Sequence, residues 1–450
     1  VTTGVQNTII GGEAGDALTT GSTNVAVGYA ALSTEDTGTR NTALGYQALK
    51  TLNYDGQGYN TAVGYYAGQA MTTGVQNTLI GGLAGDGLTT GSSNVALGYA
   101  ALSTEDTGSR NIAIGRLALF NQNYDGEAYN IAIGHNAGTA VTTGIQNTLI
   151  GGLSGDALTT GDSNVAMGYQ SLTTETQGDR NVAIGFSALQ NQNNTSSTDV
   201  YNVAMGYGAG SQVTTGVRNT LIGGLAGDAL TTGSFNVAVG FEALSTEDTG
   251  NKNTAIGHDA LANLNYDGDG HNTALGFNAG VQVTTGVQNT IIGGLAGDAL
   301  TSGSFNVALG YAALSAEDAN GRNIAIGYNS LATQNAGADA YNVAVGFKSG
   351  QFITTGVQNT LVGGLAGDAL TDANNNIAIG YLALTTETSS SNNVAIGVTA
   401  LQQSNGGTYN IAIGRDAGQQ ITTGDNNTIV GGLAGDALTT GSNNIVIGYN

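Results

Sequence analysis

An all-β fold, a parallel β-solenoid of about 26 coils, follows from three observations. One six-residue pattern returns from end to end. Glycine supplies 74 of 450 residues and proline none, which suits repeated tight corners rather than helices. Apolar residues never settle at a spacing of three and four, which removes the amphipathic helix. The pattern is Asn, three residues that are apolar or Thr, then Gly, usually followed by Tyr or Phe. Asn24-Val25-Ala26-Val27-Gly28-Tyr29 is one copy and Asn94-Val95-Ala96-Leu97-Gly98-Tyr99 another.

The 26 copies run from Asn7 to Asn444, mostly 17 residues apart, with some steps of 19 and one of 21. A second period lies on the first. Anchors 7, 77, 147, 219, 289, 359 and 427 open a variant with two glycines, so four coils form a larger unit of about 70 residues. An unbroken repeat adds coils without enlarging one core, so the expectation is a single continuous solenoid over 1–450. It is read as a window of a longer repeat chain.

Each element has a reason. The three residues after Asn form a short strand, whose first and third side chains share a face. The third is Ile, Leu, Val or Met in every copy, and the first is Val, Ile or Thr. This pair is expected to point inward, Ile114 being typical. The second residue, usually Ala, is expected outward, where another copy would cover it. The following Gly makes the bend. The anchors Asn24, Asn41, Asn60, Asn77, Asn94, Asn111 and Asn130 are expected to stack as a structural ladder of amides, coil on coil.

The four coil types differ in what they add. The first contains Gly81-Gly82-Leu83-Ala84-Gly85-Asp86, which resembles a calcium-binding nonapeptide with Ala at one required Gly. The preferred reading is an Asp that satisfies turn amides, so no cofactor is expected and calcium is the one the pattern admits. The second carries Glu35-Asp36, Glu105-Asp106 and Glu247-Asp248, expected as a solvated acidic stripe. A cation often follows, such as Arg40, Arg110, Arg180, Lys252 or Arg322, and is expected to pair locally with it. The third holds the insertions. Tyr54, Asp55, Tyr124, Asp125, Tyr266 and Asp267 lie in its exposed loops and are candidate contact residues. Tyr59, Tyr129, Tyr201 and Tyr341 end the same coils and are expected to stack along the edge. The fourth contributes Thr-Thr-Gly corners such as Thr72-Thr73-Gly74.

Composition narrows the function. A net charge of −22 argues against nucleic acid, which is bound through Lys and Arg. No run of 18 apolar residues exists, so no membrane insertion is expected in this stretch. The three histidines, at 135, 258 and 271, stand in no repeated context, and cysteine is absent. No catalytic, cofactor-binding or metal-ligating set is assigned, and no enzyme is expected.

The core Asn-x-Ala-Ile-Gly-x-x-Ala, at Asn111–Ala118, Asn130–Ala137 and Asn410–Ala417, resembles the head repeats of YadA-like trimeric autotransporter adhesins. It is also similar to repeats of phage tail-fibre proteins. The resemblance implies a left-handed parallel β-roll, a homotrimer, an extracellular place on a cell surface or virion, and attachment as the role. The expected function is therefore a non-enzymatic, fibre-forming repeat protein acting as the rigid rod or head of an adhesin or tail fibre. Its partners would be copies of itself, and surface glycans or matrix proteins at the edge loops. The alternatives are a structural filament or sheath subunit, and a glycan- or calcium-binding module.

Overall fold

The computed structural model describes residues 1–449, and the chain is a 26-turn parallel β-solenoid. No helix occurs among the described residues. The chain divides into two compact units, Val1–Gly224 and Leu225–Asn450. The first runs from the strand Thr8–Ile10 to Thr220–Ile222. The second runs from Val237–Val239 to Ile445–Ile447.

Each coil contributes one three-residue strand to the main sheet, and equivalent positions stack. Val95, Ala96 and Leu97 pair with Ile112, Ala113 and Ile114. Both neighbours are engaged at once: Val95 N–H donates to the Asn111 carbonyl and Gly98 N–H to the Ile80 carbonyl, each at 2.8 Å. The register survives the 21-residue coil, where Ala183 still lies against Ala204. The extra residues go into a loop, and Gly178–Asp179 pairs there with Thr198–Asp199.

The strand faces are the reverse of the expectation. The second residue is buried, as at Ala26, Leu79, Ala113 and Ala132. The first and third point outward and are half-buried or exposed, including Ile114 and Leu97. The reason is volume. A coil this small closes only if the inward strand residue is small or has room made for it. Where the strand turns in a Leu, the residue eight after the anchor is Gly; where it turns in an Ala, that residue is usually Leu. Leu79 fills the space over Gly85 and Gly68, where an added Cβ would lie 2.8 and 2.7 Å from its methyls. Leu32, Leu49, Leu102 and Leu119 occupy the equivalent row in coils whose strands carry Ala. Large and small residues thus interlock at interior density.

The Gly that ends each strand is required. Gly98 has φ of +141°, and a Cβ there would sit 2.4 Å from the Gly115 carbonyl oxygen of the next coil. Other corners place ordinary residues in the left-handed region, such as Arg110 at φ 64° and Leu102 at φ 54°. Each costs of order 1 kcal/mol. Hydrogen bonds between coils hold them: Arg110 N–H donates to the Ser92 carbonyl at 3.1 Å, and Leu102 N–H to the Ala118 carbonyl at 3.0 Å.

Candidate functional site

Three features of the coil carry side chains that do more than fill the core. They are the asparagine file, the outer sheet face with its aromatic ladder, and the third-coil edge.

The asparagines lie inside, and Asn24, Asn41, Asn60, Asn77, Asn94, Asn111 and Asn130 are all buried. Each Oδ1 accepts the backbone N–H of the next anchor. Asn94 Oδ1 takes Asn111 N–H at 2.9 Å, and Asn60 Oδ1 takes Asn77 N–H at 3.0 Å. The Nδ2 group bonds the second corner: Asn94 Nδ2 donates to the Gly108 carbonyl at 2.9 Å. The file is chiefly amide to backbone rather than amide to amide. Asn41, Asn111 and Asn253 depart from it, because their coils carry the edge insertion in place of that corner glycine. Their Nδ2 atoms are buried without a hydrogen bond.

The outer face is built from the first and third strand residues. None of them is charged in any coil, although the chain as a whole is strongly acidic. Leu44, Leu97, Met167, Met205, Leu275 and Leu309 are among those exposed by a third or more. Beside this face runs a ladder of rings from the position after the strand Gly. Tyr29, Tyr46 and Tyr65 stack with centroids 5.4 and 5.5 Å apart. Tyr311, Tyr328 and Phe347 stack at 5.6 and 5.5 Å. Strand spacing sets this interval. Each ring triplet is interrupted by the second Gly of a first-type coil, such as Gly82 or Gly364.

The third-coil edge differs from its expectation in three ways. The glutamates of the acidic pairs are not solvated: Glu35, Glu105, Glu175, Glu247, Glu317 and Glu387 are all buried. Each lies eleven residues after its anchor, in the row filled by Leu18, Leu52 and Met71 in neighbouring coils. Burial pushes the carboxyls of Glu35, Glu105, Glu247 and Glu317 above the usual range, and the adjacent Asp36, Asp106, Asp248 or Asp318 adds to the rise. Hydrogen bonds from backbone N–H groups, and at Glu317 also from the Asn320 side chain, oppose it. Alignment of these glutamates with the leucine row, rather than with the aspartates beside them, was the signal in the sequence.

The cations do not pair with those glutamates either. They reach one coil onward: Arg110 to Glu127 at 2.9 Å, Lys252 to Asp269 at 2.5 Å, Arg180 to Asp199 and Arg322 to Asp339. The tyrosines before the anchors receive these cations instead of stacking on one another. The guanidinium carbons of Arg40, Arg110, Arg180 and Arg322 lie 5.2, 5.4, 5.7 and 5.6 Å from the ring centres of Tyr59, Tyr129, Tyr201 and Tyr341.

The loop residues are tied inward. Tyr54, Tyr124 and Tyr266 donate their backbone N–H to Oε2 of Glu35, Glu105 and Glu247, at 3.2, 3.3 and 3.1 Å. Asp55, Asp125 and Asp267 accept from the hydroxyls of Thr37, Thr107 and Thr249, at 2.5, 2.7 and 2.6 Å. Open polar grooves lie on this edge. One is lined by Asp106, Asn123, Tyr124, Asp125 and Thr143, and another by Thr386, Gln402, Gln403, Asn405 and Thr422.

The nonapeptide-like aspartates make local bonds. Asp86, Asp156 and Asp368 accept from the hydroxyls of Ser103, Thr173 and Thr385 on the next coil. Among the described residues, no three His, Asp or Glu side chains gather as a metal site. Nor does a helix long and apolar enough to cross a membrane occur among them. No family model matches the chain, and no curated protein matches it.

Proposed function

We propose that the protein is a non-enzymatic, fibre-forming structural element whose copies associate side by side through the outer sheet face. One observation carries this reading: that face is uncharged in every coil of a chain with net charge −22, and much of it is apolar and exposed. In one unit of thirteen coils it covers on the order of 600 Å², from strand spacing and rise. That is the upper end of what a monomer leaves open to water. Lone charged side chains, which protect exposed sheets, are absent from it.

The resemblance to YadA-like head repeats and tail-fibre repeats gives the assembly a role, attachment outside the cell, with three copies as the stoichiometry. Hydrogen bonds along each stack supply stiffness. The edge loops recur every four coils, so weak contacts to a surface glycan or matrix protein would add through multivalency. An open filament or sheath subunit is the competing reading.

Mass in dilute solution tests the proposal. A species near three times 44.8 kDa that is independent of concentration is the expected result. Ile114→Lys places a charge on the outer face and should lower that mass while leaving the coil intact. Mass that keeps growing with concentration would favour the filament. A monomer at every concentration would overturn side-by-side association.

A further inference from the structure

We infer that the buried glutamates other than Glu317 are clasps for the third-coil edge loops, and that mild acid opens those of Glu35, Glu105 and Glu247, each with a single bond to the loop, while leaving that of Glu175, which holds its loop through both carboxyl oxygens, shut. This rests on the edge geometry alone and holds whatever the assembly does.

The clasp is clearest at Glu105. Its Oε1 accepts Gly108 N–H at 2.7 Å and Asp106 N–H at 3.1 Å, both within its own coil. Its Oε2 accepts Tyr124 N–H at 3.3 Å, the one bond from the carboxylate to the loop of the next coil. Glu35 and Glu247 repeat the arrangement with Gly38 and Tyr54, and with Gly250 and Tyr266. No cation balances the charge. Asp106 stands beside Glu105, while Asp86 on the coil before bonds Ser103 and Asp125 on the coil after bonds Thr107. The cation of its own coil, Arg110, is committed to Glu127 and Tyr129. Glu35 has Asp36 beside it and Asp55 on the coil after, bonded to Thr37, with Arg40 bound to Gln57 and Tyr59. Glu247 has Asp248 beside it and Asp267 on the coil after, bonded to Thr249, with Lys252 held by Asp269.

Protonation puts a hydrogen on one carboxyl oxygen, and a hydroxyl oxygen is the poorer acceptor. The short bonds within the coil keep the carbonyl oxygen. The longer bond to the loop N–H is the one lost.

Two other clasps are built differently. Glu175 receives Gln192 Nε2 at 2.8 Å, Asn194 N–H at 3.0 Å and Asn194 Nδ2 at 3.1 Å from the next coil. Glu387 receives the Ser404 hydroxyl at 3.0 Å and Gly406 N–H at 3.3 Å. At Glu175 the Asn194 N–H rests on Oε1 while the two side-chain bonds rest on Oε2, so losing Oε2 as acceptor leaves that loop held, whereas both Glu387 bonds end on Oε2. The long insertion of residues 191–200 therefore stays fixed under conditions that free the shorter loops.

Local loosening should accompany a gain in global stability. Burial raises the folded-state pKa of Glu35, Glu105, Glu247 and Glu317 above 4.5. The penalty for burying these charges is present in full above the folded values. It shrinks as pH falls through them and is gone below about 4.5, the unfolded value.

Hydrogen exchange followed by mass spectrometry on the full chain at pH 7 and pH 4, below the unfolded value, corrected for intrinsic rates, reads both statements. Segments 121–128 and 263–270 should lose protection by about tenfold at pH 4, the worth of one such bond. Segment 191–196 should change by less than about twofold, while the melting midpoint rises. Glu105→Gln should make segment 121–128 equally protected at both pH values, with 263–270 still responding. Equal protection of 263–270 at the two pH values overturns the inference without any variant. So does a response of 191–196 as large as that of 263–270.

Discussion

The sheet side of the coil and its third-coil edge obey different rules. On the sheet side the backbone does the bonding, with Asn side chains in support. The same contacts therefore recur whether the strand reads Val-Ala-Leu or Thr-Leu-Ile. At the edge the row eleven residues after the anchor holds Leu, Glu, Gln, Val, Ile, Met and Ser in different coils. Partners there change from repeat to repeat. Gln192 bonds both Glu175 and Asn202, whereas the equivalent Gln122 bonds Asn130 and leaves its own Nε2 unpaired. A repeat stays regular where backbone makes the contacts and diversifies where side chains do. Loop length varies at the same place for the same reason.

Substitutions that confront the two sides should separate them. The largest effect belongs to the asparagine file. Asn94→Ala removes the acceptor for Asn111 N–H and the donor to the Gly108 carbonyl, and leaves both buried groups unpaired. A loss of about 3 kcal/mol is expected in denaturant unfolding. Asp125→Ala at the edge removes a bond to an exposed threonine and should cost less than about 0.5 kcal/mol. Similar losses from the two would erase the distinction between sheet side and edge.

The next effect tests which strand residues face the core. Ala113 is fully buried, while Ile114 is half-buried on the outer face. Ala113→Leu overpacks a coil whose volume is already filled and should cost about 2–3 kcal/mol. Ile114→Ala should cost about 1 kcal/mol in the unassembled chain, since part of its surface is already in water. The opposite order would restore the inward assignment of Ile114.

That assignment shows how far the sequence carries. Period, strand position, the parallel stack and the place of the insertions follow from the spacing of Asn and Gly alone. The direction of the side chains does not, because alternation gives two faces without saying which is inside. Conserved bulk at Ile114 and its equivalents invites an inward reading. The deciding fact is the complementarity between Leu79 and the two glycines packed against it, Gly85 and Gly68, visible only once coils are superposed. The glutamates misled in a similar way. Glu105 next to Asp106 looks like a surface pair, and only its alignment with Leu88 of the preceding coil places it inside. The loop residues Tyr124 and Asp125 were legible as an edge. Their anchoring to Glu105 and Thr107 was not, since those partners lie 19 and 18 residues away.

The smallest effect is expected at the cation bridge between second and third coils. Arg110 lies over the Tyr129 ring and pairs with Glu127, but both charged groups are half-exposed. Water and salt screen such a pair, and holding two long side chains costs entropy. Arg110→Gln should therefore change unfolding free energy by less than about 0.5 kcal/mol, and less still in high salt. The Arg110 backbone sits at φ 64°, a conformation that Gln already adopts at Gln76 and Gln146 in equivalent positions, so the substitution adds no new strain. A loss above about 2 kcal/mol would mean that this bridge belongs with the sheet side, as a contact on which stacking depends. The division between the two sides would then have to be drawn through the loop rather than along its base.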